Sequence, residues 1–252
     1  MLTSEQFRAK DDRMEKAEPY RQRDHLTYPE ATMFQLVERA AEQFPGEPAY
    51  EFYGVKTSYR QFIARIERAA RAFWTSGIRP GDAVTICMPN TPQALDCFYA
   101  LNRIGAVANM VHPLSAETEI IGYLDISESK MILTVDLFYE KVERAVNASR
   151  KPAVILTCRM QDELPLHLAA AYLVKKGKDY LRFPQKPHLL WKEFLKRGDA
   201  ETALPEPVFD KNRTAVILYS GGTSGFPKGI CLSDYNFNAC ALEARVKNFF
   251  QR

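Results

Sequence analysis

Residues 219–229 bring together side chains that suit gripping phosphate. Ser220, Thr223 and Ser224 offer hydroxyl donors, and Lys228 a compact positive charge. Gly221, Gly222, Gly225 and Gly229 let backbone N–H groups approach an anion, because no Cβ stands in the way. Pro227 fixes one φ beside the lysine and holds Phe226 in extended geometry, so the ammonium arrives at a defined angle. A bare Gly/Ser/Thr cluster also suits an ordinary turn. Eleven positions in this order, after the apolar run Thr214-Ala215-Val216-Ile217-Leu218, favour the anion-binding reading.

The order is not that of a Walker A loop. There, Gly-Lys is followed by a Ser or Thr that opens a helix and reaches magnesium. Here Lys228-Gly229 is followed by Ile230 and Cys231. The loop is expected to lead into a helical pattern, with Ser233 as N-cap of a helix from Asp234 to about 250.

The elements that must position this loop are legible upstream. Thr32-Met33-Phe34-Gln35 fits a capping box, and apolar residues recur behind it at helical spacing as far as Phe44. Residues 49–53 and 56–59 read as two short strands. Phe62, Ile66, Ala69, Ala70 and Phe73 form one helical stripe opposite Arg65, Arg68 and Arg71. Strands at 83–88, 106–111, 130–135 and 153–157 alternate with helices started at Thr91 and Ser115 and with a third over 137–147. That alternation predicts an α/β fold: a doubly wound, mostly parallel sheet with helices on both faces. The strand before the loop is expected in a second sheet. The expected division is a charged helix or tail at 1–28 and a helix–hairpin–helix segment of a second subdomain at 29–78. A parallel α/β subdomain follows at 79–205, then the strand, loop and helix of the second subdomain at 206–252.

The chain has 252 residues, 46% of them hydrophobic, enough for a substantial core. Its 34 basic and 31 acidic residues leave a formal charge of +3, no field that would recruit nucleic acid. No apolar run reaches membrane-spanning length, and residues 1–24 lack the apolar core of a secretory signal. Five scattered cysteines and four scattered histidines show no metal spacing. A reduced, cytoplasmic protein is expected.

The segment from Tyr219 to Gly229 resembles the signature of the adenylate-forming superfamily. That superfamily includes acyl-CoA synthetases, peptide-synthetase adenylation domains and luciferases. Tyr219, Gly222, Thr223, Gly225, Pro227, Lys228 and Gly229 match its usual order, Ser220 and Ser224 replace threonines, and Gly221 replaces a serine. The resemblance extends upstream through 34–41, Thr57-Ser58-Tyr59, 77–82, 88–92 and 105–114. Two positions depart from it: His112 stands where asparagine is common, and Asp234 where histidine is common. A carboxylate near bound phosphates would repel them, so Asp234 is expected to point away from the nucleotide.

The resemblance implies the N-terminal part of an acyl-CoA synthetase, inactive by itself. Its chemistry would be ATP-dependent activation of a carboxylic acid, a fatty acid by overall likeness, to an acyl-adenylate, then thioester formation with coenzyme A. Lys228 would be the catalytic residue, and Ser220 to Gly225 with Pro227 and Gly229 would hold the ATP phosphates. Mg²⁺ and coenzyme A would be bound largely by residues downstream of this chain. Loading of an acyl carrier protein, or a non-catalytic nucleotide-binding or interaction fragment, are the alternative readings. Self-association into a homo-oligomer through an exposed sheet edge is also expected.

Overall fold

The structure is a computed structural model, and it describes residues 26–176, 188–200, 203–220 and 228–246. These fall into two compact units. The smaller joins residues 26–30 to the chain from Tyr235 onward. In it Tyr28 meets Tyr235 edge-on at 5.7 Å and donates its hydroxyl to Glu243 at 3.0 Å.

The larger unit, Ala31–Asp234, opens with α1 (Met33–Gln43). Its capping box forms as the sequence predicts: Thr32 Oγ1 accepts from the Gln35 N–H, and Gln35 Oε1 from the Thr32 N–H. A hairpin of β1 (Pro48–Phe52) and β2 (Val55–Ser58) leads to α2 (Tyr59–Thr75), capped the same way by Ser58 and Gln61. Next come β3 (Ala83–Cys87), α3 (Pro92–Arg103), β4 (Val107–Met110) and α4 (Glu117–Ser127). These are followed by β5 (Met131–Val135), α5 (Tyr139–Ala148), β6 (Val154–Cys158) and α6 (Leu166–Lys176). The last elements of this unit are β7 (His188–Leu190), α7 (Trp191–Leu195), β8 (Val216–Ser220) and β9 (Lys228–Leu232); α8 (Asp234–Val246) belongs from Tyr235 to the smaller unit.

Seven strands make one sheet in the order β7-β6-β5-β3-β4-β8-β9, parallel throughout except for β9. From β3 the chain steps one way to β4, then reverses across β3 to β5. Right-handed crossovers in opposite directions place their helices on opposite faces. Accordingly α1, α2, α3 and α7 pack with one another, and α4 packs with α5. On the α4/α5 side Cys87, Val111, Ile120, Leu124, Ile132 and Ile155 belong to one buried cluster.

Three expectations are corrected. β8 does not open a second sheet: it pairs in parallel with β4, Ala108 opposite Val216 and Asn109 opposite Ile217. The loop does not run directly into a helix, because β9 intervenes and returns antiparallel along β8. Ser115 does not cap α4: Ala116 occupies the N-cap, with no side-chain oxygen, and its N–H donates to Glu119 Oε2 at 2.8 Å.

Two polar clusters tie the helices down. Asp234 is fully buried, and its Oδ1 accepts from the Met33 N–H (3.0 Å) and Asn102 Nδ2 (2.6 Å). Arg213 donates to its Oδ2 at 2.6 Å, and Asn102 Oδ1 accepts from the Phe34 N–H at 2.8 Å. The first N–H groups of α1, which have no partner inside the helix, are thus satisfied by side chains. The second cluster is Arg65, whose Nε donates to Asp96 at 2.8 Å while its two terminal nitrogens fork onto Glu163 at 3.0 and 2.8 Å.

Candidate functional site

The expected phosphate loop is the connection of the β8–β9 hairpin. Gly221, Gly222, Thr223, Ser224, Gly225 and Pro227 lie outside the described residues. Its two ends are described: Ser220 and Lys228 face each other as the last pair of the β8–β9 ladder, and both are exposed. A hydroxyl and an ammonium therefore flank the mouth of a seven-residue connection, where an anion could meet both.

The hairpin is firmly seated on its α4 side. Tyr219 lies over Tyr123 of α4 with ring centroids 3.9 Å apart, and its hydroxyl donates to the Tyr123 carbonyl at 3.3 Å. Burial pushes the Tyr219 phenol up to about 12, so it stays neutral and donates. Gly229 stands opposite Tyr219 in the ladder. A Cβ there would stand 3.3 Å from Ile217 Cγ2 and 3.5 Å from Tyr219 Cε1, so the Ile217 side chain would have to give by a few tenths of an ångström. The glycine lets the strands pack closely here, and its φ is not among the positive values.

The hairpin emerges at the carboxyl end of β8, next to that of β4 and on the far side of β4 from the β3/β5 reversal of strand order. In open α/β sheets ligands bind outside the carboxyl ends of the strands. Beside the hairpin lies the turn after β4. Lys141 of α5 donates to the carbonyls of Pro113 (2.5 Å) and Ser115 (3.0 Å) and so pins that turn. His112 is exposed there, with Nδ1 accepting from the Leu114 N–H at 3.2 Å. Asp234 is turned into the interior by Met33, Asn102 and Arg213. Of these, Lys141 carries no motif that sequence reasoning could use; only its position beside Tyr139 on α5 marks it.

Cys87, Cys97 and Cys158 are buried and Cys231 and Cys240 exposed. Burial pushes the Cys87 thiol up to about 12, so it is a packing group, not a nucleophile. Among the described residues no group of three or more His, Cys, Asp or Glu is placed to hold a metal, so no residue here is assigned to magnesium. A cavity of about 210 Å³ opens among Arg65, Gln93, Asp96, Glu163, Trp191 and Lys192. It receives nothing from the hairpin, and Arg65 pairs there with Asp96 and Glu163, and Lys192 with Asp162. No helix among the described residues is long and apolar enough to cross a membrane.

Comparison with known proteins bears on the family and the fold. A family model described as AMP-binding enzyme matches residues 37–251. A long-chain-fatty-acid–CoA ligase of Bacillus subtilis (strain 168) is 26% identical over 216 residues, covering 85% of this chain and 38% of that protein. An acetyl-coenzyme A synthetase of Streptomyces avermitilis is 28% identical over 193 residues, covering 77% of this chain and 28% of that protein. The solved long-chain-fatty-acid-CoA ligase of Archaeoglobus fulgidus shares the fold with a TM-score of 0.67 at 21% identity, over 90% of this chain and 41% of that one. An anthranilate CoA ligase solved with anthranoyl-AMP gives a TM-score of 0.69 at 17% identity, over 87% of this chain and 37% of that one. The chain thus spans well under half the length of these relatives. With the hairpin, the parallel sheet and the match over residues 37–251 taken together, the chain belongs to the AMP-binding enzyme family.

Proposed function

We propose that this chain supplies the phosphate-gripping part of an acid–thiol ligase, which activates a carboxylic acid with ATP and passes the acyl group to coenzyme A. In the first step the carboxylate attacks the α-phosphorus of ATP; the α–β bridging bond breaks, giving acyl-adenylate and pyrophosphate. In the second a thiol displaces AMP and forms the thioester. Negative charge builds on the departing pyrophosphate. Lys228 and Ser220 stand where charge-assisted hydrogen bonds would stabilise it, each worth roughly 1.5–3 kcal/mol. Lys228 is the catalytic residue in this reading. The loop residues Gly221, Gly222, Thr223, Ser224, Gly225 and Pro227, together with Gly229, hold the phosphates. Magnesium would neutralise phosphate charge when bound; this chain's own contribution is the ammonium and the hydroxyls.

The observation that carries the reading is the facing pair Ser220 and Lys228 at the carboxyl edge of a parallel sheet. A fatty acid is the preferred substrate class, because two of the relatives above are long-chain-fatty-acid ligases. The test is ATP–pyrophosphate exchange by the protein across carboxylic acids of graded chain length. The complete enzyme should exchange with a fatty acid, and Lys228→Ala in it should lower exchange at least tenfold with an unchanged melting temperature. Equal exchange by both proteins would remove Lys228 from the mechanism. ATP binding with no exchange for any acid would replace ligation by plain nucleotide binding.

A further inference from the structure

We propose that Asn109 is a positioning residue for the β8–β9 hairpin: a hydrogen-bonded cluster around its amide fixes where Tyr219 sits, one residue ahead of Ser220. The proposal rests on the phosphate-gripping reading of that hairpin and says what holds it in place.

Thr85, Asn109 and Ile217 stand side by side on β3, β4 and β8, partners in register in parallel strands. Their side chains therefore share one face, and Tyr219, two residues beyond Ile217, lies on it too. Cys87 and Val111, two residues beyond Thr85 and Asn109, belong to the cluster beneath α4, which identifies the face. A central parallel strand is buried on both sides and is normally apolar throughout. Asn109 breaks that rule while fully buried.

The amide is held on several sides. Asn109 Nδ2 donates to Thr85 Oγ1 at 2.8 Å and to Ser127 Oγ at 3.0 Å. Thr85 Oγ1 donates to Ser129 Oγ at 2.8 Å, and Ser127 and Ser129 share a hydrogen bond at 2.8 Å. The Tyr219 hydroxyl comes beside the Asn109 amide and the Ser127 hydroxyl as it donates to the Tyr123 carbonyl. The cluster thus runs from β3 through β4 to the end of α4 and reaches the base of the hairpin.

Stability does not explain it. Asn109 Oδ1 is buried with no hydrogen-bond partner, which costs free energy. An apolar side chain of similar volume would remove that cost. What a directional cluster provides instead is a single arrangement of the groups that touch it. Here the group touching it is Tyr219, and the strand end that follows carries Ser220 opposite Lys228.

The experiment compares Asn109→Leu, Asn109→Thr and Tyr219→Phe with wild type. Melting temperature, exchange kinetics with KM for ATP and kcat separated, and the amide resonance of Gly229 in ¹⁵N-glycine-labelled protein are read together. Asn109→Leu should melt no lower than wild type, shift the Gly229 resonance, and raise KM for ATP about tenfold. Asn109→Thr, which keeps a donor, should return KM to within about threefold and restore the resonance. If Asn109→Leu does not fold, Tyr219→Phe makes the same test by deleting one hydroxyl, and should shift Gly229 likewise. An unmoved Gly229 resonance in the folded variants overturns the positioning role. So does a KM effect that follows only a fall in melting temperature. If wild type binds no ATP, the phosphate-gripping reading is what has failed, and Gly229 alone then decides the role of Asn109.

Discussion

Every residue of β3 is buried, with β4 on one side and β5 on the other, whereas β9 exposes four of its five residues and, among the described residues, pairs only with β8. β8 grades between the two along its own length, from buried Val216 beside β4 to exposed Ser220 at the loop. The two regions belong to one sheet, yet the first is locked by packing on both faces and the second by a few contacts on one. Regions that close around ligands are drawn from the less protected end of that range. The expected division of labour follows: core changes cost stability, and hairpin changes cost phosphate handling.

The largest effect that would break this contrast is in the core. Ile132 of β5 is fully buried in the cluster beneath α4, and Ile132→Ala should cost about 2–5 kcal/mol by lost transfer energy and a residual cavity. Ile230 of β9 is 45% exposed, and Ile230→Ala should cost less than about 1 kcal/mol. Denaturant unfolding of both variants measures the difference. Similar losses would mean that the hairpin is as firmly held as the centre of the sheet.

The same contrast explains what the sequence made legible. The central strands and the Thr32 capping box depend on residues close together in the chain, where spacing and residue type carry the information. The place of β8 beside β4 and the existence of β9 depend on pairing across long separations. β9 was further masked by Gly229, which weakens a strand pattern by itself and whose packing reason appears only against Ile217 and Tyr219. The α4 cap was misplaced by one residue because Ser115 is the usual capping type, while Glu119 carries the bond. Asn109 reads as one polar residue in an apolar strand; its partners come from β3 and from the end of α4. Parallel topology is thus readable from the sequence, and the contacts that fix the hairpin are not.

A pH experiment sharpens the comparison on the rigid side. Asp96 of α3 is buried, and burial pushes its carboxyl up from 3.8 to about 6, although Arg65 beside it pulls the other way. Between pH 4 and 6 the folded chain then holds a proton at Asp96 that the unfolded chain has released. Unfolding stability should therefore fall as pH rises through that window, by up to roughly 3 kcal/mol from this group. Asp96→Asn should flatten this part of the profile, and Lys228→Ala should leave it as in wild type. A wild-type profile that rises steadily from pH 4 to 6, and does so equally in Asp96→Asn, would show that the Arg65 pairing outweighs burial.

The smallest stability effect belongs to the sheet edge. Leu218 and Ile230 are partners across β8 and β9 on the side away from Tyr219, 37% and 45% exposed. An uncovered apolar pair on an edge hairpin is a template for association with another chain. Ile230→Lys puts a charge on that edge, with a cost to folding of about 0.5 kcal/mol or less. Sedimentation velocity over a range of concentrations should find wild type self-associating and Ile230→Lys shifted towards monomer. Because Lys228 and Ser220 pair two steps further along the ladder, the added charge should leave phosphate binding within about twofold. Loss of phosphate binding together with loss of association would mean that the hairpin grips its ligand only when a second chain supports its edge.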